Sequence, residues 1–182
     1  MMQNSQILVL FLFLTTVHGM NAAWVGHKNP FNYQLADEIE FHGVSFEQFM
    51  NQKNEDGDTL LHRAVKANNI QKVEYLILLG VDVNQKNNVG RSPLHVAARN
   101  NAVEITKLLV AAGAHINQKN IHGNTPLHLA IEWNSKGIIQ LLISAGADIA
   151  ITNENGCTAR ALITMSGTRK IFDQTLKKSR NR

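Results

Sequence analysis

The sequence predicts an all-α solenoid, a row of stacked helix-turn-helix units with β-turn tips along one edge. Two observations carry that prediction. First, several residue classes share one period of 33: Gly57, Gly90, Gly123 and Gly156; Gly80, Gly113 and Gly146; His62, His95 and His128; and the tetrapeptide Asn-Gln-Lys-Asn, which begins at Asn51, Asn84 and Asn117. Self-similarity at such a period marks an array whose single units cannot bury their apolar faces alone. Second, apolar residues make up 44% of the 182 residues and aromatics only 6%. The core must therefore be built from Leu, Ile, Val and Ala, which suits packed helices better than an aromatic-rich sandwich.

Each unit reads in the same order. Gly57, Gly90 and Gly123 sit in a turn, where positive φ is cheap only for glycine. Two residues on, Thr59, Ser92 and Thr125 place a hydroxyl where it can cap a helix start. Pro93 and Pro126 follow at the first helical position, where a missing N–H is harmless. A short helix then carries His62, His95 or His128 and the small Ala64, Ala97 or Ala130, which let neighbouring helices approach. Polar breaks at Asn68-Asn69, Asn100-Asn101 and Asn134-Ser135 lead into a second helix. That helix has apolar residues at helical spacing: Val73, Leu76 and Ile77; Ile105, Leu108 and Leu109; Ile138, Leu141 and Leu142. Gly80, Gly113 and Gly146 end it as left-handed caps.

These residues resemble the ankyrin-repeat family. Ser92-Pro93-Leu94-His95-Val96-Ala97 and Thr125-Pro126-Leu127-His128-Leu129-Ala130 match its Thr-Pro-Leu-His-x-Ala signature, with Ser for Thr once. Thr59-Leu60-Leu61-His62-Arg63-Ala64 departs from it only at Leu60. The resemblance covers three full repeats, 54–86, 87–119 and 120–152. A fourth, 153–166, keeps Gly156 and Thr158 but has Arg160 and Ala161 where Leu and His belong, as suits a C-terminal cap whose outer face meets water. Residues 20–53 read as a leader and a degenerate N-terminal cap. Thr59, His62, Pro93, His95, Thr125, Pro126 and His128 are the structural signature.

Function is expected on the positions that differ between units. The resemblance implies a concave groove formed by turn tips and first-helix surfaces, where a protein partner docks. The differing positions include Glu55, Asp56, Asp58 and Lys66 in the first unit, Val89, Arg91 and Arg99 in the second, and Ile121, His122, Glu132 and Trp133 in the third. Trp and Arg are favoured interface anchors. Trp133, Ile121, Val89, Arg91, Arg99 and His122 are therefore the candidate contacts with a partner whose identity the sequence does not name. Asp56 and Asp58, on a turn tip, are read as solvated charges.

The ends carry separate signals. Ile7 to Val17 is an apolar run too short to cross a bilayer of roughly 30 Å. It fits the core of a signal peptide spanning 1–19, with cleavage after Gly19 or at Ala22 or Ala23, although no basic residue precedes Ile7. A buried core segment and an uncleaved membrane anchor are the alternatives. In the tail, 167–182, six cations face the single acid Asp173, a net +5 against +4 for the whole chain. The body is thus close to neutral, and no nucleic-acid partner is expected. The tail reads as a short amphipathic, helix-terminal charge cluster, with contact to an acidic membrane surface as its alternative role. Cys157 is the sole cysteine, so no internal disulfide forms, and there is no Asn-x-Ser/Thr acceptor. Both fit a bacterial exported protein better than a small secreted animal domain.

No cofactor, metal or enzymatic activity is expected. His62, His95 and His128 lie one repeat apart, about 8–10 Å between stacked helices, whereas zinc ligands must each reach within about 2.1 Å of the ion. A hydrogen bond fixing turn to helix is their expected role. Phosphate-cradling glycine loops, nucleophile elbows and His-Glu-x-x-His are absent from the sequence. The sequence thus points to a monomeric, exported, non-enzymatic binding scaffold, such as a bacterial effector. A periplasmic accessory protein and a membrane-anchored module are the other expectations.

Overall fold

The computed structural model describes Met50, residues 52–165 and residues 173–174. The signal-peptide segment, nearly all of the leader and N-terminal cap, and all of the basic tail except 173–174 lie outside the described residues. Three helix pairs follow one another: α1 (Leu60–Lys66) with α2 (Ile70–Leu78), α3 (Pro93–Arg99) with α4 (Val103–Ala111), and α5 (Pro126–Glu132) with α6 (Lys136–Ser144). A single helix, α7 (Ala159–Met165), closes the described series. No helix among the described residues is long and apolar enough to cross a membrane.

The first helices begin on a variant capping box in which histidine stands where Glu or Gln is usual. The N-cap residues Thr59, Ser92 and Thr125 take extended backbone, and His62, His95 and His128 occupy the third helical position. Each imidazole Nδ1 accepts the N-cap backbone N–H, at 3.3, 3.1 and 3.3 Å, and lies 2.8 Å from the N-cap hydroxyl. Both helices of a pair end in a left-handed residue. After α2, α4 and α6 these are Gly80, Gly113 and Gly146; after α1, α3 and α5 they are Asn68, Asn101 and Asn134, at φ 51°, 55° and 53°. The closing bonds after α2, Gly80 N–H to Ile77 O and Val81 N–H to Leu76 O, are those of a Schellman motif, and Asn68 and Asn69 repeat the pattern after α1. The polar breaks read from the sequence are therefore helix caps.

Packing runs in two layers. First helices stack on first helices (α1 on α3, α3 on α5, α5 on α7) and second helices on second helices (α2 on α4, α4 on α6). Leu61, Leu94 and Leu127 fill one layer, Leu76, Leu109 and Leu142 the other, and Ala64, Ala97 and Ala130 allow the close approach between them. Thr106 takes the core position that Val73 and Ile139 fill in the flanking units. It is tolerated because its hydroxyl donates to Ala102 O at 2.8 Å.

The tips are joined directly through their main chains. Backbone bonds run from each tip to the one before: Asn88 N–H to Asp56 O at 3.0 Å, Ile121 N–H to Val89 O at 3.3 Å and Glu154 N–H to His122 O at 3.1 Å. Gly90 sits under this ladder at φ 68°, and a Cβ there would lie 2.8 Å from Ile121 N, a backbone atom that cannot move aside. Gly113 has φ 83° but open space where its Cβ would go. Gly113→Ala is therefore expected to destabilise by about 1–2 kcal/mol, the left-handed penalty alone. Gly90→Ala should lose distinctly more, because it also forces two tips apart. Urea midpoints of the two variants measured side by side check the difference; equal losses would contradict close tip packing.

Candidate protein-binding face

A second set of bonds, all between residues 29 to 34 apart, ties each unit to the next. The Nε2–H of His62, His95 and His128 donates to Arg91 O, Asn124 O and Cys157 O of the following unit, at 2.9, 3.0 and 3.2 Å. Each histidine thus joins turn to helix within its own unit and unit to unit across the joint. The bond network assigns the neutral Nε2–H tautomer, since Nδ1 must accept. Burial pushes all three imidazoles below their ordinary pKa, His95 to about 4. The lysines of the Asn-Gln-Lys-Asn repeats form a parallel row: Lys53 Nζ donates to Lys86 O, Lys86 to Lys119 O and Lys119 to Thr152 O, at 2.9, 2.8 and 2.9 Å. These groups are occupied by holding the stack together.

Much of the unengaged surface lies on the tips and at the ends of the first helices. Leu78, Val89, Ile121 and Trp133 are the exposed large apolar residues among those described, and the last three belong to this face. Val89 is 37% and Ile121 51% exposed, side by side on the tip ladder. Trp133 is the C-cap of α5 and is 52% exposed. The Arg99 guanidinium, from the end of α3, stacks over its ring 5.0 Å from the centroid, a cation–π contact that spans two units. His122 is exposed on the third tip, with Nδ1 3.9 Å from a Glu154 carboxylate oxygen. Arg91 is half-buried, its main chain held by Asn87 Oδ1.

Asp58 departs from the expectation of a solvated charge. Its side chain is fully buried, ion-paired to Lys66 and bonded by Asn87 Nδ2 at 2.7 Å. Burial alone would raise its pKa; the hydrogen bonds from Lys66 and Asn87 and the positive charge of Lys66 outweigh it and hold the carboxyl below its usual range. Lys66 is thereby also engaged, which leaves Glu55 and Asp56 as the exposed acids of the first tip. Among the described residues no three His, Cys, Asp or Glu side chains converge as a metal site. Cys157 is a free, half-buried thiol in the fourth tip.

A family model for ankyrin repeats, in three copies, matches residues 20–120 and 61–153. The chain belongs to the ankyrin-repeat family. No curated protein matches the sequence. Ankyrin repeats are protein-protein interaction modules, and the division of labour seen here is what such a module requires. Residues that repeat every 33 positions make the ankyrin stack; most of the tip residues that break the repeat face outward, with Asp58 the buried exception. The candidate contacts Trp133, Ile121, Val89, Arg91, Arg99 and His122 all sit on the tip and first-helix-end side. The signature residues Thr59, His62, Pro93, His95, Thr125, Pro126 and His128 are buried within the ankyrin scaffold.

Proposed function

We infer that the protein is an exported, non-enzymatic ankyrin scaffold that binds another protein through its tip face, with delivery to a host cell as a bacterial effector the favoured setting. The observations that carry the binding reading are the Arg99–Trp133 stack at the ends of the first helices and the exposed Val89–Ile121 pair on the tips. Large side chains half open to water contribute contact area, and a Trp already stacked under an Arg has less entropy left to lose on binding. Export rests on the apolar run Ile7 to Val17. The test is affinity capture with the exported full-length protein and with Trp133→Ala. Truncating an interface anchor of this type is expected to lose at least 2 kcal/mol of binding, about thirtyfold in Kd, with the melting temperature almost unchanged. A partner list unaltered by the substitution would move recognition off this face. Mass spectrometry of the same exported material is expected to give a mature start at Met20 or Ala23; an intact Met1 start would favour the membrane-anchored reading.

A further inference from the structure

One joint in the tip row lacks a hydrogen-bond acceptor. Asn87, Asn120 and Asn153 occupy equivalent places in successive tips. Each fixes its amide orientation by accepting two backbone N–H groups on Oδ1: Asn87 from Val89 and Arg91, Asn120 from His122 and Asn124, Asn153 from Asn155 and Cys157. That orientation turns Nδ2 toward the preceding tip. Asn87 Nδ2 donates to Asp58 Oδ1 at 2.7 Å and Asn153 Nδ2 donates to Asn124 Oδ1 at 2.8 Å. At the middle joint the corresponding preceding residue is Arg91, which carries donors only. Asn120 is 7% exposed, its Nδ2 is buried and unpaired, and so is Arg91 Nε.

Charge and apolar surface converge on the same joint. Val89 and Ile121, the exposed apolar pair, flank it in sequence and in the ladder, and Arg99 lies on the same unit as Arg91. The exposed acids Glu55 and Asp56 stand on the tip before it and Glu154 on the tip after it, while Glu132 lies next to Trp133 at the end of α5. A ligand centred on Arg91 and Asn120 therefore meets cations at its middle and acids only beyond its ends.

We propose that the Arg91–Asn120 joint takes a carboxylate from an acidic peptide segment of the partner protein, with an apolar side chain of that segment against Val89 and Ile121. The proposal rests on the protein-binding reading above and names its partner chemistry. Binding opens the joint enough to uncover the two buried nitrogens, and the carboxylate then supplies the missing acceptors, as the Asp58 carboxylate does for Asn87 one joint earlier, and matches the planar fork of arginine. Arg91 is then a residue that weakens the empty stack and is satisfied on binding.

The test uses the full chain and a display library of random dodecapeptides, followed by affinity measurements on the selected peptides. Selected sequences are expected to pair Asp or Glu with Leu, Ile or Phe. Arg91→Asn, which supplies at position 91 the amide oxygen that Asn124 offers Asn153, is expected to raise the melting temperature by a few degrees and to weaken those peptides about tenfold or more. The surface change Arg99→Glu should weaken them too without altering the melting temperature. Basic or uncharged selected peptides, or acidic ones bound equally by Arg91→Asn, would overturn the proposal. If such peptides still depend on Trp133, the protein-binding face survives and only its carboxylate chemistry is lost. If they depend on neither, both readings fall.

Discussion

Acidifying the protein from pH 6.5 to pH 4 is expected to remove a large part of its stability, beginning above the range in which ordinary carboxylates titrate. The cause is the row of buried, neutral histidines. His95 is fully buried, and its pKa falls from 6.5 to about 4 because burial outweighs the stabilising bond to Asn124 O. The unfolded chain takes up a proton near 6.5 and the folded chain does not until about 4, so the unfolded state binds more protons throughout that window. Stability is therefore complete above pH 6.5 and declines as pH falls toward 4, by on the order of 3 kcal/mol for His95 alone. His62 and His128 are shifted in the same direction by the same cause and add to the loss. The chemistry at Nδ1 explains why the folded state resists protonation: a proton there would face the N-cap N–H, donor against donor. Asp58 acts lower on the scale. Its carboxyl is held below 3.8, so its contribution is present at neutral pH and is lost as pH falls through that lowered value. Urea midpoints at pH 7, 5.5 and 4.5 should decline in order, and imidazole proton resonances should show His95 neutral in the folded protein at pH 5. A midpoint independent of pH between 7 and 4.5 would contradict the buried capping-box assignment.

Leu109→Ala is expected to lose about 2–5 kcal/mol. Leu109 is completely buried at the middle of the second-helix layer, where α4 packs against both α2 and α6. The cavity would open between two joints at once, and neither flanking helix can close it without leaving its own neighbour. Marginal stability of about 5–15 kcal/mol is usual for a domain, so this one change should bring the array close to unfolding at 37 °C. Chemical denaturation followed by far-ultraviolet circular dichroism checks it. A loss under 1 kcal/mol would mean that the layers do not depend on each other as described.

The architecture was legible because its determinants are local and recur. Turn glycines, N-cap hydroxyls, helix-starting prolines and a leucine at each unit's second helix all obey one period, so each copy corroborates the others. What escaped was whatever crosses a joint. Asp58 reads as a surface acid because one of its partners, Asn87, belongs to the next unit. The histidines were assigned to their own turns, yet Nε2 reaches a carbonyl 29 residues on. Asn-Gln-Lys-Asn was visible as a repeated string, but the purpose of its lysine depends on a carbonyl supplied by the following copy. Asn68, Asn101 and Asn134 recur at the same interval as the glycines and also adopt positive φ, a signal that was present in the spacing. The binding face is the opposite case. Its residues are defined by failing to recur, so the sequence marks where they are without fixing what they meet; the missing acceptor opposite Asn120 emerges only when adjacent tips are set against each other.

The joints have a further consequence for how the chain finds its shape. Every bond between units closes a loop of about one repeat, such as the 29 residues from His62 to Arg91 or the 33 from Lys86 to Lys119. The entropy of loop closure grows with the span that must be closed, and here that span is nearly constant across the described units. Any two adjacent units can serve as the nucleus, with the rest zippering onto either flank. Folding speed should then track the strength of one interface and be nearly indifferent to how many units the chain contains.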